Sequence, residues 1–144
     1  MGAIRMDHHP LFEFQDTLRA AIERVIPEDD YPDGWDAGAG EYILGLLVRD
    51  CDSLIPLYRQ GLAGLDAEAV AAHGRKFSKL TTDEQDSILR HVEAGNVATQ
   101  WPVRPREFFE RLVCQAMEGF YADPGNGGNR GEISWRMVGF TVTA

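Results

Sequence analysis

Thr81-Thr82-Asp83-Glu84-Gln85-Asp86-Ser87-Ile88-Leu89-Arg90-His91-Val92-Glu93-Ala94-Gly95-Asn96 is the stretch that decides the fold. It opens as a capping box, with Thr82 as N-cap and Gln85 three residues on. Ile88, Leu89 and Val92 then recur on one face of a helix, and Gly95-Asn96 closes it. A helix with both ends written into its sequence sets the pattern to look for on either side.

Upstream, residues 66 to 77 resemble a shorter helix, opened by Asp66 as a cap and closed near Gly74. Before it, from about Gly40 to Gly61, Ile43, Leu44, Leu47, Val48, Cys51, Leu54, Ile55 and Tyr58 keep helical spacing. This is the expected central helix, with a kink or break at Pro56. Residues 14 to 26 place Leu18, Ala21, Ile22 and Val25 at steps of three and four, an amphipathic helix stopped by Pro27. Residues 27 to 38 read as a loop rich in Asp, Pro and Gly, with Tyr31 and Trp35 as anchors onto the core. Downstream, Pro105 suits a first helical position, and Phe108, Phe109, Leu112, Val113, Ala116, Met117 and Phe120 continue the pattern. No alternating strand pattern competes. The expectation is one all-α domain over residues 1–144, an irregular bundle of about five helices with a glycine-rich C-terminal loop and a short tail. Residues 1–12 are expected to be a flexible terminus.

Composition agrees with one domain: 144 residues with 44% hydrophobic content bury a single core. A formal charge of -9 argues against nucleic acid and against docking on an anionic lipid surface. The acidity lies in residues 1 to 72, which hold 14 acidic and 5 basic side chains, while residues 73 to 144 hold 9 of each. Clusters such as Glu28-Asp29-Asp30 and Asp33-Gly34-Trp35-Asp36 read first as solvated loop and second as an acidic face for a basic partner. The longest apolar stretch, Tyr42 to Val48, is too short to span a membrane, so direct membrane insertion is not expected. The first ten residues show no apolar h-region and no twin arginine. As given, the chain is expected in the cytoplasm, or in the periplasm if a leader is removed or a partner carries it.

Chemistry of its own is thinly marked. Cys51 and Cys114 lie without CxxC or Cys/His ligand spacing; each reads first as a buried free thiol and second as half of a disulfide, with the other or with another subunit, in an oxidising compartment. His8 and His9 sit in the terminus, and His73 and His91 near helix ends favour the helix dipole. Asp50 and Asp52 flank Cys51 and, on a helix, point about 100° apart rather than at one substrate. Ser134 has no nucleophile-elbow setting. No catalytic residue, metal ligand or cofactor-binding residue is assigned to this chain.

The remaining feature is the loop Ala122-Asp123-Pro124-Gly125-Asn126-Gly127-Gly128-Asn129-Arg130-Gly131. It fails as a phosphate cradle, because no Gly-Lys-Ser/Thr follows and no strand precedes it. It fails as a calcium loop, because Gly125 and Gly127 stand where side-chain oxygens belong and Ser134 replaces the final Glu. A hydrogen-bonded turn remains, with Asp123, Asn126, Asn129 and Arg130 as its polar groups.

Glu118-Gly119-Phe120-Tyr121-Ala122-Asp123-Pro124, then Asn126-Gly127-Gly128-Asn129-Arg130, then Trp135-Arg136-Met137-Val138-Gly139-Phe140 resemble the signature of the gluconate 2-dehydrogenase subunit 3 family. The resemblance implies a non-catalytic small subunit, chaperone-like towards an FAD-containing catalytic subunit of the glucose-methanol-choline type, often with a cytochrome c subunit. It also implies that FAD sits in the partner and that the partner oxidises a sugar or sugar acid. The motif residues Phe120, Tyr121, Asp123, Pro124, Asn126, Gly127, Gly128, Asn129, Arg130, Trp135, Gly139 and Phe140 form the candidate partner interface. Family members often bear a twin-arginine leader for export, which this sequence lacks. The rival readings are a stand-alone cytoplasmic helical protein of the same fold and a small enzyme or metal protein acting alone.

Overall fold

The computed structural model describes residues 8–27, 35 and 38–121. They form five helices: α1 (Gln15–Val25), α2 (Ala39–Arg49), α3 (Ile55–His73), α4 (Thr82–Ala94) and α5 (Pro105–Tyr121). Short 3₁₀ turns precede α1, join α2 to α3, and precede α4. Among the described residues there is no strand, so the fold is the all-α bundle expected. The glycine-rich loop and the tail lie outside the described residues.

α4 keeps its expected extent, but its cap is one residue earlier. Thr81, not Thr82, is the N-cap, and Glu84 rather than Gln85 completes the box. The Glu84 N–H donates to Thr81 Oγ1 at 3.2 Å, and the Thr81 N–H donates to Glu84 Oε1 at 2.9 Å. The shift has a physical cause. Gln85 faces the core, where its Nε2 donates to the Phe77 carbonyl at 2.9 Å, while Glu84, only partly covered, folds back onto the cap. At the other end Asn96 N–H reaches His91 O at 2.8 Å and Gly95, at φ 74°, bonds Val92 O at 3.0 Å. This is a Schellman ending, for which the left-handed residue is best a glycine.

Between Gly40 and Gly74 the helix count is as expected but the break falls elsewhere. α2 stops at Arg49, where the N–H groups of Asp50 and Cys51 both reach Leu46 O at 2.9 Å. Pro56 does not kink a helix. It lies in the first turn of α3, where its missing N–H leaves nothing unsatisfied. α3 then runs unbroken to Gly74, whose φ of 74° ends it, so Asp66 opens no helix. Its carboxylate instead takes the Thr17 hydroxyl at 3.0 Å and the Phe77 N–H at 3.1 Å, tying α3 to α1 and to the turn before α4. Burial raises the Asp66 pKa, and the bonds from Phe77 and Thr17 counter it only in part. Asp50 and Asp52 consequently sit at the α2–α3 junction, Asp52 opening its 3₁₀ turn, and not together on one α-helix.

The core is made of Leu18 and Ile22 from α1, Ile43 and Leu47 from α2, Tyr58, Leu62 and Leu65 from α3, and Phe108, Leu112 and Phe120 from α5. Two glycines on α3 set how closely the rest approaches. A Cβ at Gly61 would stand 2.1 Å from the Phe108 ring, and one at Gly64 would stand 2.6 Å from the Trp101 ring. The rings therefore lie directly on helix backbone. Gly61 and Gly64 each weaken helix propensity by roughly 1 kcal/mol relative to Ala, and the aromatic burial they permit is worth more than that, at about 2–3 kcal/mol per ring.

Glu68, one turn further along α3, holds the α4–α5 connection. Its carboxylate accepts Ala98 N–H at 2.9 Å, Thr99 N–H at 2.8 Å, the Thr99 hydroxyl, and Trp101 Nε1 at 3.3 Å. Burial pushes its pKa up, but these donors win and hold it below the usual carboxylate range. Trp35 is an anchor as expected: it covers Gly40, where a Cβ would stand 2.3 Å from the ring, and the Arg19 guanidinium lies 5.7 Å above it. Within the stretch expected to be a flexible terminus, His9 and Leu11 are buried in the bundle.

Candidate partner interface at the end of α5

α5 carries its apolar residues as adjacent pairs: Phe108 and Phe109, Leu112 and Val113, Ala116 and Met117, Phe120 and Tyr121. Neighbours on a helix point about 100° apart, so two parallel columns result. Phe108, Leu112, Ala116 and Phe120 are buried. Phe109 and Val113 are only partly covered, while Met117 and Tyr121 are 38% and 37% exposed. The outer column is thus an apolar strip that ends at the first residues of the glycine-rich motif.

At its upper end the strip borders a groove of about 440 Å³, floored by Val25, Leu89, Phe109 and Val113. Its rim is the Arg24–Asp86 ion pair, bidentate at 2.8 and 3.1 Å. The hydrogen bonds from Arg24 hold Asp86 below the usual carboxylate range.

At its lower end α5 crosses the start of α2 at close range. A Cβ on Gly119 would stand 2.9 Å from Tyr42 Cβ and 3.0 Å from Ala39 Cα. Beside it the Tyr42 hydroxyl lies 3.5 Å from Glu118 Oε1, and Cys114 Sγ lies 3.8 Å from Glu118 Oε2. Burial, and next the Glu118 charge, raise the Tyr42 pKa. Beneath this corner the buried Tyr58 hydroxyl donates to Gln115 Oε1, and burial raises its pKa strongly.

Of the residues expected at the interface, Phe120 is core, packed edge-on to Tyr121 with ring centroids 5.2 Å apart. Tyr121 is on the surface. Asp123, Pro124, Asn126, Gly127, Gly128, Asn129, Arg130, Trp135, Gly139 and Phe140 lie outside the described residues. Sequence reading placed Met117 in the core helix face, expected Cys114 to be buried, and named Glu118 only as the first residue of the motif, not as an interface residue. The doubled apolar pattern was the available signal, since two full columns are more than one helix face can bury in so small a bundle.

Both cysteines are free thiols, but neither is buried as expected: Cys51 is partly covered at the α2–α3 junction, and Cys114 is exposed on the outward side of α5. His73 pairs with Glu84 at 3.3 Å at the end of α3. Among the described residues no group of three His, Cys, Asp or Glu side chains is placed to hold a metal ion, and no helix is long and apolar enough to cross a membrane.

The sequence matches the family described as gluconate 2-dehydrogenase subunit 3 over residues 13–141. The chain belongs to the gluconate 2-dehydrogenase subunit 3 family. The matched range runs from the C-terminal motif back over all five helices. The gluconate 2-dehydrogenase subunit 3 family is named for one subunit of a dehydrogenase. No curated protein and no solved structure matches the chain.

Proposed function

We propose that this chain is the non-catalytic small subunit of an FAD-dependent sugar or sugar-acid dehydrogenase of the glucose-methanol-choline type. It binds the catalytic flavoprotein and supports its folding, stability or export, with a cytochrome c subunit as a further member of the complex. The observation that carries this reading is the family match over residues 13–141. The apolar column of α5 supports it, because an exposed strip of Met and Tyr that leads into the family motif has the composition of a protein interface. FAD belongs to the partner in this reading, since the glycine-rich loop follows a helix and lacks the strand that precedes a dinucleotide cradle.

Co-expression with a flavoprotein of that type tests the proposal. Asp123→Ala or Arg130→Ala is expected to lower the yield or the sugar-oxidising activity of the purified complex. If both variants assemble and turn over like wild type, the role given to the loop is wrong.

A further inference from the structure

We propose that the C-terminal tail of this chain docks into the groove between α1, α4 and α5, with the Trp135 indole as its plug. The groove holds about 440 Å³ and is floored by Val25 of α1, Leu89 of α4, and Phe109 and Val113 of α5. Val25, Phe109 and Val113 are only partly covered. A floor drawn from three helices is built by the packing of the bundle, and its volume suits a bulky apolar group.

Three kinds of occupant can cover such a floor: a second copy, another protein, or residues of this chain. The sequence favours the last. After α5 the chain runs on as residues 122–144, where Ile133, Trp135, Met137, Val138 and Phe140 make an apolar run. Side chains of this kind gain free energy when they leave water, and a partly covered apolar floor gains with them. Between α5 and the run stands the stretch Ala122 to Gly131, rich in the Gly, Asn, Asp and Pro residues that let a chain reverse.

The length of this stretch fits the return. Phe109 and Val113 lie twelve and eight residues before Tyr121 on α5, so at about 1.5 Å per residue the groove is roughly 12–18 Å back from Tyr121. Trp135 stands fourteen positions beyond Tyr121, and a glycine-rich segment of that length has a root-mean-square reach of about 20 Å. A tether matched to its span gives an effective concentration on the order of 1 mM, an advantage that a second copy or a separate peptide lacks. Charge agrees with the fit, since Glu93 on the rim offers a carboxylate to Arg136, the neighbour of Trp135. Docked in this way, the tail covers Phe109 and Val113. Met117 and Tyr121, at the lower end of the same column, stay available for the partner contact proposed above, and neither proposal depends on the other.

The test is an NMR measurement on the whole chain with labelled Val and Leu methyls, following NOEs from the Trp135 indole, whose signals are assigned by their loss in Trp135→Ala. Contacts from the indole to the methyls of Leu89 and Val113 are expected. In Trp135→Ala those methyls, with Val25, are expected to shift, while the core methyls of Leu47 and Leu62 stay in place. Neither measurement alters a residue of the five helices, so the fold is not at stake. An indole that contacts other methyls, or none, overturns the proposal. So does a groove floor whose contacts come from residues 28–34 in place of Trp135, or a contact that forms only between differently labelled copies of the chain.

Discussion

The two apolar columns of α5 are offset by one residue and live in different environments. Phe108 lies on the bare backbone of Gly61 and meets Tyr58 edge-on at 6.0 Å. Phe109, its neighbour, only walls an open groove. Four residues before the end of α5, Met117 is left 38% exposed beside buried Ala116. Composition does not separate the columns, since both are apolar and aromatic. What separates them is whether another element has given up its side chains to receive them. α3 does so for Phe108 with Gly61, and no described element does so for Met117. The inner column is therefore committed to stability, and the outer one is the face proposed above for partner contact.

The largest effect is expected on the inner column. Phe108→Ala removes a fully buried ring from a site where Gly61 has no side chain to refill the space, and should cost about 4 kcal/mol in denaturant unfolding. Gly61→Val approaches the same contact from the other side and should lower the unfolding midpoint as well, because the Phe108 ring would have to leave its seat.

Glu68 sharpens the comparison, since it pins Trp101 over Gly64. Glu68→Ala leaves four backbone and side-chain donors of the α4–α5 connection unpaired and should cost about 2 kcal/mol. The pH dependence has a definite sign. A carboxylate whose folded pKa is lowered stabilises the fold above its unfolded value, and that stability is lost as pH falls through the folded value. Asp66 runs the other way: its raised pKa means that it favours the fold more when protonated, so its contribution weakens as pH rises through the folded value. Acid melts of wild type, Glu68→Gln and Asp66→Asn should therefore diverge in opposite directions. A smaller effect belongs to the groove rim, where a double-mutant cycle on Arg24 and Asp86 should return less than about 1 kcal/mol of coupling, as partly exposed pairs do. Smallest of all on stability is Met117→Ala, expected within about 0.5 kcal/mol of wild type, although it should weaken retention of the catalytic subunit.

Much of this was legible in the sequence where the signal is local. The ends of α1, α4 and α5 follow from Pro27, Gly95 and Pro105, each acting on its own neighbours. The α2–α3 region was not legible in that way. Ile43 to Tyr58 keeps helical spacing through the junction because Leu54 of the 3₁₀ turn also packs against the core, and Pro56 is compatible with a kink or a first turn until its N-terminal neighbours are placed. Asp66 looks like a cap in one dimension, and its partners Thr17 and Phe77 lie 49 and 11 residues away. Thr81 and Thr82 offer the same hydroxyl, and only the burial of Gln85 chooses between them. For the interface, the motif announced the family, but the exposure of Met117 and Cys114 depends on which helices surround α5, a property of the packing that apolar spacing alone does not encode.

The most direct test of the outer column as a partner face is a tagged co-purification of wild type and Met117→Asp with the catalytic flavoprotein, read by flavin absorbance per mole of this chain. The account predicts that Met117→Asp melts like wild type yet elutes largely without flavin. A variant that brings down as much flavin as wild type would contradict it.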